Sequence, residues 1–283
     1  MNRTTWTTPL AHQQSGIQPQ TLAQPLAVWP TIPTLLETLA EGFEPISLDR
    51  MEAAALLNRT DVKFIMTHEQ VFTALAALRN DYWILSVSGQ RLNHYRTLYF
   101  DLPNFEMYKM HVNGRSNRYK VRSREYTDTH LSFLEVKHKT RKGRTIKDRI
   151  PTNRPVTEMN LEAVAWLQNH FPFEGHILEP KLWNTFTRLT LVGKSCVERV
   201  TLDVDLNFYS NGRSVELDRL AIAELKMGVC RQGSPFWSQM RAQHVLPHGF
   251  SKYCIGVAML YDFVKKNALK SNLRWIEKVT KGS

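Results

Sequence analysis

Four cations stand at every second position of one short stretch: Arg118, Lys120, Arg122 and Arg124. A strand sends alternate side chains to opposite faces, so these four share a face, with Tyr119, Val121 and Ser123 on the other. The next segments repeat the device. Ser132 to Thr140 puts Glu135, Lys137 and Lys139 on one side, and Arg144 to Ile150 aligns Thr145, Lys147 and Arg149 against Ile146. Arginines clamp phosphate oxygens bidentately and lysines act as point charges, so such a face suits an anion carrying many charges. Like charges facing one another across strands repel unless something neutralises them.

The chain of 283 residues has a formal net charge of +11, and Lys109 to Arg149 alone holds 13 cations against 4 acids. Its alternation argues against a disordered basic tail. With 42% hydrophobic residues the chain can bury a core, which excludes disorder throughout. Cys196, Cys230 and Cys254 form neither an even disulfide framework nor a CxxC pair, so a reduced, cytoplasmic setting is expected. The longest apolar run, Cys254 to Val264, contains Asp262 and is too short to cross a bilayer. No secretion signal is evident before Pro30. None of the ten histidines lies in an HxE or HExxH spacing, and none is assigned to a metal.

Around the basic block the same period recurs. Thr60 to Met66, Val197 to Phe208 and Leu220 to Met227 alternate apolar with polar or charged residues, whereas Leu182 to Val192 alternates poorly. Amphipathic helices are expected over His68 to Arg79, Pro103 to His111, Val156 to His170, Ser234 to Val245 and Ser251 to Lys266. Residues 1 to 44 read as a weakly ordered lead-in with a short helix around Thr34 to Leu39, 45 to 270 as the domain, and 271 to 283 as a tail. Two arrangements fit the strands. One is a half-buried antiparallel sheet with its charges in water. The other is a closed barrel with its charges inside and helices outside.

Several motifs bear on that choice. Asn58-Arg-Thr-Asp-Val-Lys-Phe64, Tyr99-Phe-Asp-Leu-Pro103, Asn113 to Tyr126, Phe133-Leu-Glu-Val-Lys-His-Lys139, Ala223-Glu-Leu-Lys226 and Phe250-Ser-Lys-Tyr253 occur in this order. Together they resemble the vacuolar transporter chaperone (VTC) type polyphosphate polymerase domain, a branch of the CYTH-like triphosphate tunnel metalloenzymes, over roughly residues 46 to 266. The resemblance implies an α+β fold: an eight-stranded antiparallel β-barrel with a basic lumen and helices packed on the outside. It implies an ATP-dependent polymerase that extends inorganic polyphosphate, with Mn2+ or Mg2+ as cofactor and ATP and polyphosphate as partners.

Carried over position by position, Lys63 looks like the first-strand phosphate contact, and Arg122 and Arg124 like the paired arginines of the third barrel strand. Lys137 and Lys147 resemble the basic residues of the two strands after it, and Arg188 and Arg199 the arginines of the later strands. Glu224 resembles the metal-binding glutamate, Lys226 its neighbour, and Lys252 the lysine that begins the closing helix. Arg118, Lys120 and Lys139 extend the substrate-binding face. Asp203 and Asp205 are expected to be lumen acids that pair with arginines, while Arg91, Arg96 and Arg115 belong to the surface. Where related triphosphatases and cyclases carry Glu-x-Glu-x-Lys, this chain has Arg59-Thr-Asp61-Val-Lys63, which weakens those readings. Where some polymerase domains carry a lysine before the Phe-Ser-Lys-Tyr stretch, it has Gly249.

Two other classes stay open: hydrolysis of tripolyphosphate or a nucleoside triphosphate in the same tunnel, and a non-catalytic module that binds polyphosphate or nucleic acid. Bases are usually held by interleaved aromatics. The face from Arg118 to Arg124 has none, which favours bare phosphate, and no nucleic-acid partner is expected. A polymerase whose product is exported would work at the inner face of a membrane through a separate membrane subunit.

Overall fold

Period-two alternation needs a buried surface on at least one side of each strand. In the computed structural model, which describes residues 32–53, 60–228 and 233–281, that surface is the outside of a strongly curled sheet. The elements run α1 (Ile32–Glu41), β1 (Glu44–Ile46), α2 (Leu48–Ala53), β2 (Thr60–Thr67), α3 (His68–Leu78), β3 (Tyr82–Leu85), β4 (Asn93–Asp101) and α4 (Glu106–Val112). The basic hairpins follow as β5 (Arg118–Tyr126), β6 (Leu131–Lys139) and β7 (Thr145–Thr152), then α5 (Leu161–Leu167). The chain ends with β8 (Glu179–Gly193), β9 (Glu198–Ser210), β10 (Arg213–Leu217), β11 (Leu220–Met227), α6 (Pro235–Ala242), α7 (Lys252–Leu260) and α8 (Lys270–Lys281).

Eight strands lie in the order β2-β11-β9-β8-β4-β5-β6-β7, every neighbouring pair antiparallel. This is the expected α+β architecture. Among the described residues β2 and β7 are not paired with each other, so the ring of backbone hydrogen bonds stays open at that seam. Part of the free edge of β2 is taken by another segment: the His248 amide donates to the Lys63 carbonyl at 2.8 Å, and Pro247 bridges Phe64.

Apolar residues from one face of β2, β8, β9 and β11, including Phe64, Leu191, Val200, Leu202 and Leu225, pack under α1, α3 and α6. Leu98, Phe100, Val121, Leu134 and Val136 do the same beneath α5. Both outer layers leave the charged positions facing inward. A third cluster fills part of the interior, where α7 packs Tyr253, Ile255 and Val257 near Tyr99, Leu182 and Phe208. Gly256 permits this approach, since a Cβ there would come within 2.6 Å of Leu182 and 2.7 Å of Phe208.

Asp101, fully buried, fixes α4 and α7 relative to β4. Its carboxylate accepts from the amides of Leu102, Met107 and Tyr108 and from the Tyr253 hydroxyl. This accounts for the aspartate in the Tyr99 to Pro103 motif. The ordered body reaches beyond 45–270 at both ends: Leu36, Leu39 and Ala40 of α1 enter the first core, and Ile276 of α8 the interior one. Two helices are shorter than the amphipathic pattern suggests. α5 begins where the Asn160 side chain accepts from the Ala163 amide, and α7 ends where Tyr261 turns extended. No helix among the described residues is long and apolar enough to cross a membrane.

Candidate functional site

The strand register sets the inward cations in rows. Arg118 faces Lys139, Lys120 faces Lys137 and Lys137 faces Lys147, while Lys226 faces Arg199 two strands from β7 across the seam. Three carboxylates interrupt the repulsion, each in the hands of specific cations.

Glu135, only 1% exposed, takes Arg122 Nε at 2.6 Å and Lys147 Nζ at 2.5 Å. Burial alone would raise its carboxyl, but Arg122, Arg124 and Lys147 outweigh that and hold it well below the usual carboxylate range. Asp203 takes Arg188 in a fork, Nε to Oδ1 at 2.5 Å and Nη2 to Oδ2 at 2.8 Å, and also pairs with Lys252. Here too burial is overcome by Arg188 and Lys252, which keep the acid ionised. Glu224 is bound by Lys63 at 2.8 Å and lies 3.5 Å from Lys226; against burial, Lys226, Lys63 and Lys137 hold its carboxyl low.

These pairings join neighbouring strands, but the field of the interior reaches across the open seam. Lys137 on β6 lies within electrostatic reach of Glu224 and of Lys63, on the far side of the seam. Its ammonium is lowered to about 8, by lost hydration first although the side chain stays partly open to solvent, with Arg122, Lys120 and Lys63 adding to the effect and Glu224 opposing it. Only a curled sheet brings those groups together.

The closing helix contributes through its first turn. Ser251 caps α7, its Oγ accepting from the Cys254 amide at 3.3 Å, and the same Oγ accepts from Lys120 Nζ at 2.8 Å. A cation at a helix N-terminus is unfavourable. For Lys252 the cost is offset by Asp203, the anion that this position asks for.

Thus Lys63, Lys120, Arg122, Arg124, Lys137, Lys147, Arg188, Lys226, Lys252 and Glu224 gather along one interior surface. Lys137 and Lys147 lie toward its open side and are exposed, and Arg118 and Lys139 stand at its rim; Lys139 is exposed too, and Arg118 donates to the Arg115 carbonyl at 2.9 Å. Arg199 turns its guanidinium to the Met51 carbonyl, 2.9 Å away. Of the two aspartates, Asp203 pairs as expected. Asp205 does not: it lies exposed, in a left-handed backbone at φ 52°, near the β8–β9 register shift, and its charge is felt by His68 instead. That irregularity also explains the poor alternation of β8. On the outside, Arg96 pairs with Glu125 at 2.7 Å and Arg115 is exposed, whereas Arg91 is half-buried and donates to the Ala40 carbonyl. Arg59 and Cys230 lie outside the described residues.

Two groups escaped the sequence reading. Glu135 was visible as an inward position, but its role appears only with Arg122 and Lys147 on either side. The interior face also carries aromatics just past Arg124: Tyr126 on the same strand, with Phe133, Tyr95 and Phe186 beside it.

Among the described residues no cluster of three or more histidine, cysteine or acidic side chains is built to cage a metal. A hard divalent ion that arrives with phosphates needs only one or two protein carboxylates, its other ligands being phosphate oxygens and water. Glu224, one-fifth exposed and held by lysines alone, fits that demand.

Comparison with known proteins gives one family. The model of the VTC domain family matches residues 58–261. No curated protein matches the chain. Among solved structures, a proposed adenylate cyclase of Bacillus halodurans is similar at TM-score 0.45 and 11% identity, covering 72% of this chain and 98% of that one. A proposed adenylyl cyclase of Hippeastrum, described as having a dominant triphosphatase activity, is similar at 0.45 and 12%, covering 70% and 95%. A third, from Vibrio parahaemolyticus, reaches 0.40 and 14%, covering 71% and 98%.

Proposed function

The chain belongs to the VTC domain family, and from that premise we propose that it is a polyphosphate polymerase, transferring the γ-phosphate of ATP to the end of a growing inorganic polyphosphate chain. The observation that carries this reading is the charge balance of the interior. Glu135, Asp203 and Glu224 are each held by two cations, so each group keeps a net positive charge, and Lys120, Arg124 and Lys137 remain over on β5 and β6. A compact triphosphate would neutralise part of such a surface; a polymer can follow its length.

The reaction asks the protein for position and charge rather than for covalent chemistry. A terminal oxygen of the chain, ionised near neutrality, attacks the γ-phosphorus; a new P–O bond forms as the bond to the leaving ADP breaks. No general base is required, because a phosphate terminus loses its second proton near pH 6. Arg122 and Arg188, held by Glu135 and Asp203, and Arg124, whose Nε donates to Thr97 Oγ1 at 3.4 Å, hold equatorial phosphate oxygens, while Lys63, Lys137 and Lys226 offset the charge of successive phosphates. Glu224 would hold Mn2+ or Mg2+, which would supply positive charge to stabilise the transferring phosphate. The same reading places the protein in the cytoplasm, with a separate membrane subunit wherever the product is exported.

The test is direct. Purified protein incubated with ATP and either metal is expected to give long-chain polyphosphate and ADP on a gel. Release of orthophosphate alone would replace this reading with hydrolysis in the same tunnel.

A further inference from the structure

Beside the arginines lies a feature for which a bare phosphate chain has no use. Phe186, Tyr95 and Tyr126 face one another across β8, β4 and β5, and Phe133 joins them from β6, opposite Arg124. Tyr95 and Phe186 stack with centroids 5.0 Å apart and planes 5° from parallel. Tyr126 lies 4.9 Å from Tyr95 and meets Phe133 edge-on at 5.8 Å. The four rings form one ribbon on the inward face.

Guanidinium groups lie against it. Arg124 stands 5.5 Å and Arg188 5.1 Å from the centre of the Tyr95 ring, and Arg149 covers Phe133 at 4.7 Å. Phe186 is buried, but Tyr126 and Phe133 keep part of their surface open, and Leu131 opposite Tyr126 is 55% exposed. Aromatic and apolar surface therefore reaches solvent directly next to two phosphate-clamping arginines.

An inorganic phosphate chain offers no flat face to such a surface, whereas every nucleobase does. We infer that Tyr126 and Phe133 form the seat of the nucleobase of the triphosphate whose phosphates Arg124 and Arg188 hold. Exposed Arg149, 4.7 Å from the centre of the Phe133 ring, is placed to reach a base seated there. The seat selects nucleoside triphosphate over inorganic triphosphate; because stacking is tolerant of base identity, it does not by itself choose adenine over guanine. The inference rests on the reading of the tunnel as a phosphate site, and it deepens that reading by naming what distinguishes the donor from the polymer.

The test uses the full chain and needs no turnover. ATP and inorganic tripolyphosphate are titrated calorimetrically into the wild type and into the double variant Tyr126→Leu, Phe133→Leu, which keeps apolar volume and removes both rings. ATP binding is expected to weaken about tenfold, the lower part of what losing a base-stacking surface costs, while tripolyphosphate binding changes less than twofold. Equal loss for both ligands, or loss for neither, overturns the seat. A wild type that binds ATP in this selective way but makes no polyphosphate would defeat the polymerase reading and leave the seat standing, so the two failures are separable.

Discussion

Lys63 and Glu224 stand opposite each other on β2 and β11, with Nζ 2.8 Å from Oε2. The carboxylate best suited to a divalent ion is thus already occupied by a lysine when no phosphate is present. On the proposed reading, phosphates would draw Lys63 away by offering it a stronger partner and so free Glu224 for the ion. Manganese titrated into the protein alone, followed by electron paramagnetic resonance, is expected to show no tight site. Lys63→Ala, which frees Glu224, is expected to tighten manganese binding several-fold while lowering polymerase activity. Unchanged manganese affinity in that variant would remove Glu224 from the metal site.

Losing an oriented contact to the transferring phosphate typically costs about 2.7 to 4 kcal/mol of barrier. Arg122→Ala and Glu224→Ala are therefore each expected to lower polyphosphate synthesis by roughly a hundredfold or more. Arg115→Ala, an exposed cation off the interior surface, is expected to change it little. Near-normal synthesis in both interior variants would sink the assignment of the site.

How far the chain announced this arrangement varies from one residue to the next. That Lys63, Arg122, Lys137 and Glu224 each share a face with other charges is plain in the period-two pattern, because their strands are regular, but that this face looks inward is not, since the same pattern fits a sheet with its charges in water. Arg188 is less plain, since the register shift in β8 breaks the alternation that would orient it. Asp205 misleads for the same reason: parity places it inside, and the local bulge turns it out. The aromatic seat is hidden by sequence distance, as Tyr95, Tyr126, Phe133 and Phe186 become neighbours only through cross-strand register. The short strand β1, paired in parallel with β3, carries too few residues for any periodicity to show.

Glu135 is the counter-charge that lets Arg122 and Lys147 coexist, and it is nearly inaccessible. Removing one partner of a buried ion pair leaves the others uncompensated, at a cost of about 3 kcal/mol. Glu135→Gln is therefore expected to lower the Tm by roughly 10 °C in a chain of this size. Tripolyphosphate should restore a large part of that loss, since it supplies the missing negative charge and binds only the folded state. Calorimetry with and without the ligand reads both effects. A variant destabilised equally in either condition would mean that Glu135 serves packing and not the charge balance of the tunnel.

Lys137 makes the site sensitive to pH in a calculable direction. Lost hydration and its cationic neighbours bring its ammonium down to about 8, so it loses its proton as the pH rises through that value. A polyanion binds the charged form, so binding near pH 8 must take up about half a proton, rising toward one at higher pH, and affinity falls above pH 8 by up to tenfold per unit. Below pH 7 the group is already charged and contributes no slope. The polyanion's own ionisation runs the opposite way, since deprotonating it strengthens binding, and it is the same for every variant. Comparing wild type with Lys137→Arg removes it: arginine stays charged throughout, so tripolyphosphate affinity measured from pH 6.5 to 9.5 is expected to be flatter in the variant. Parallel profiles would show that Lys137 keeps its proton across this range, and that the crowding of cations around it is already relieved before any phosphate arrives.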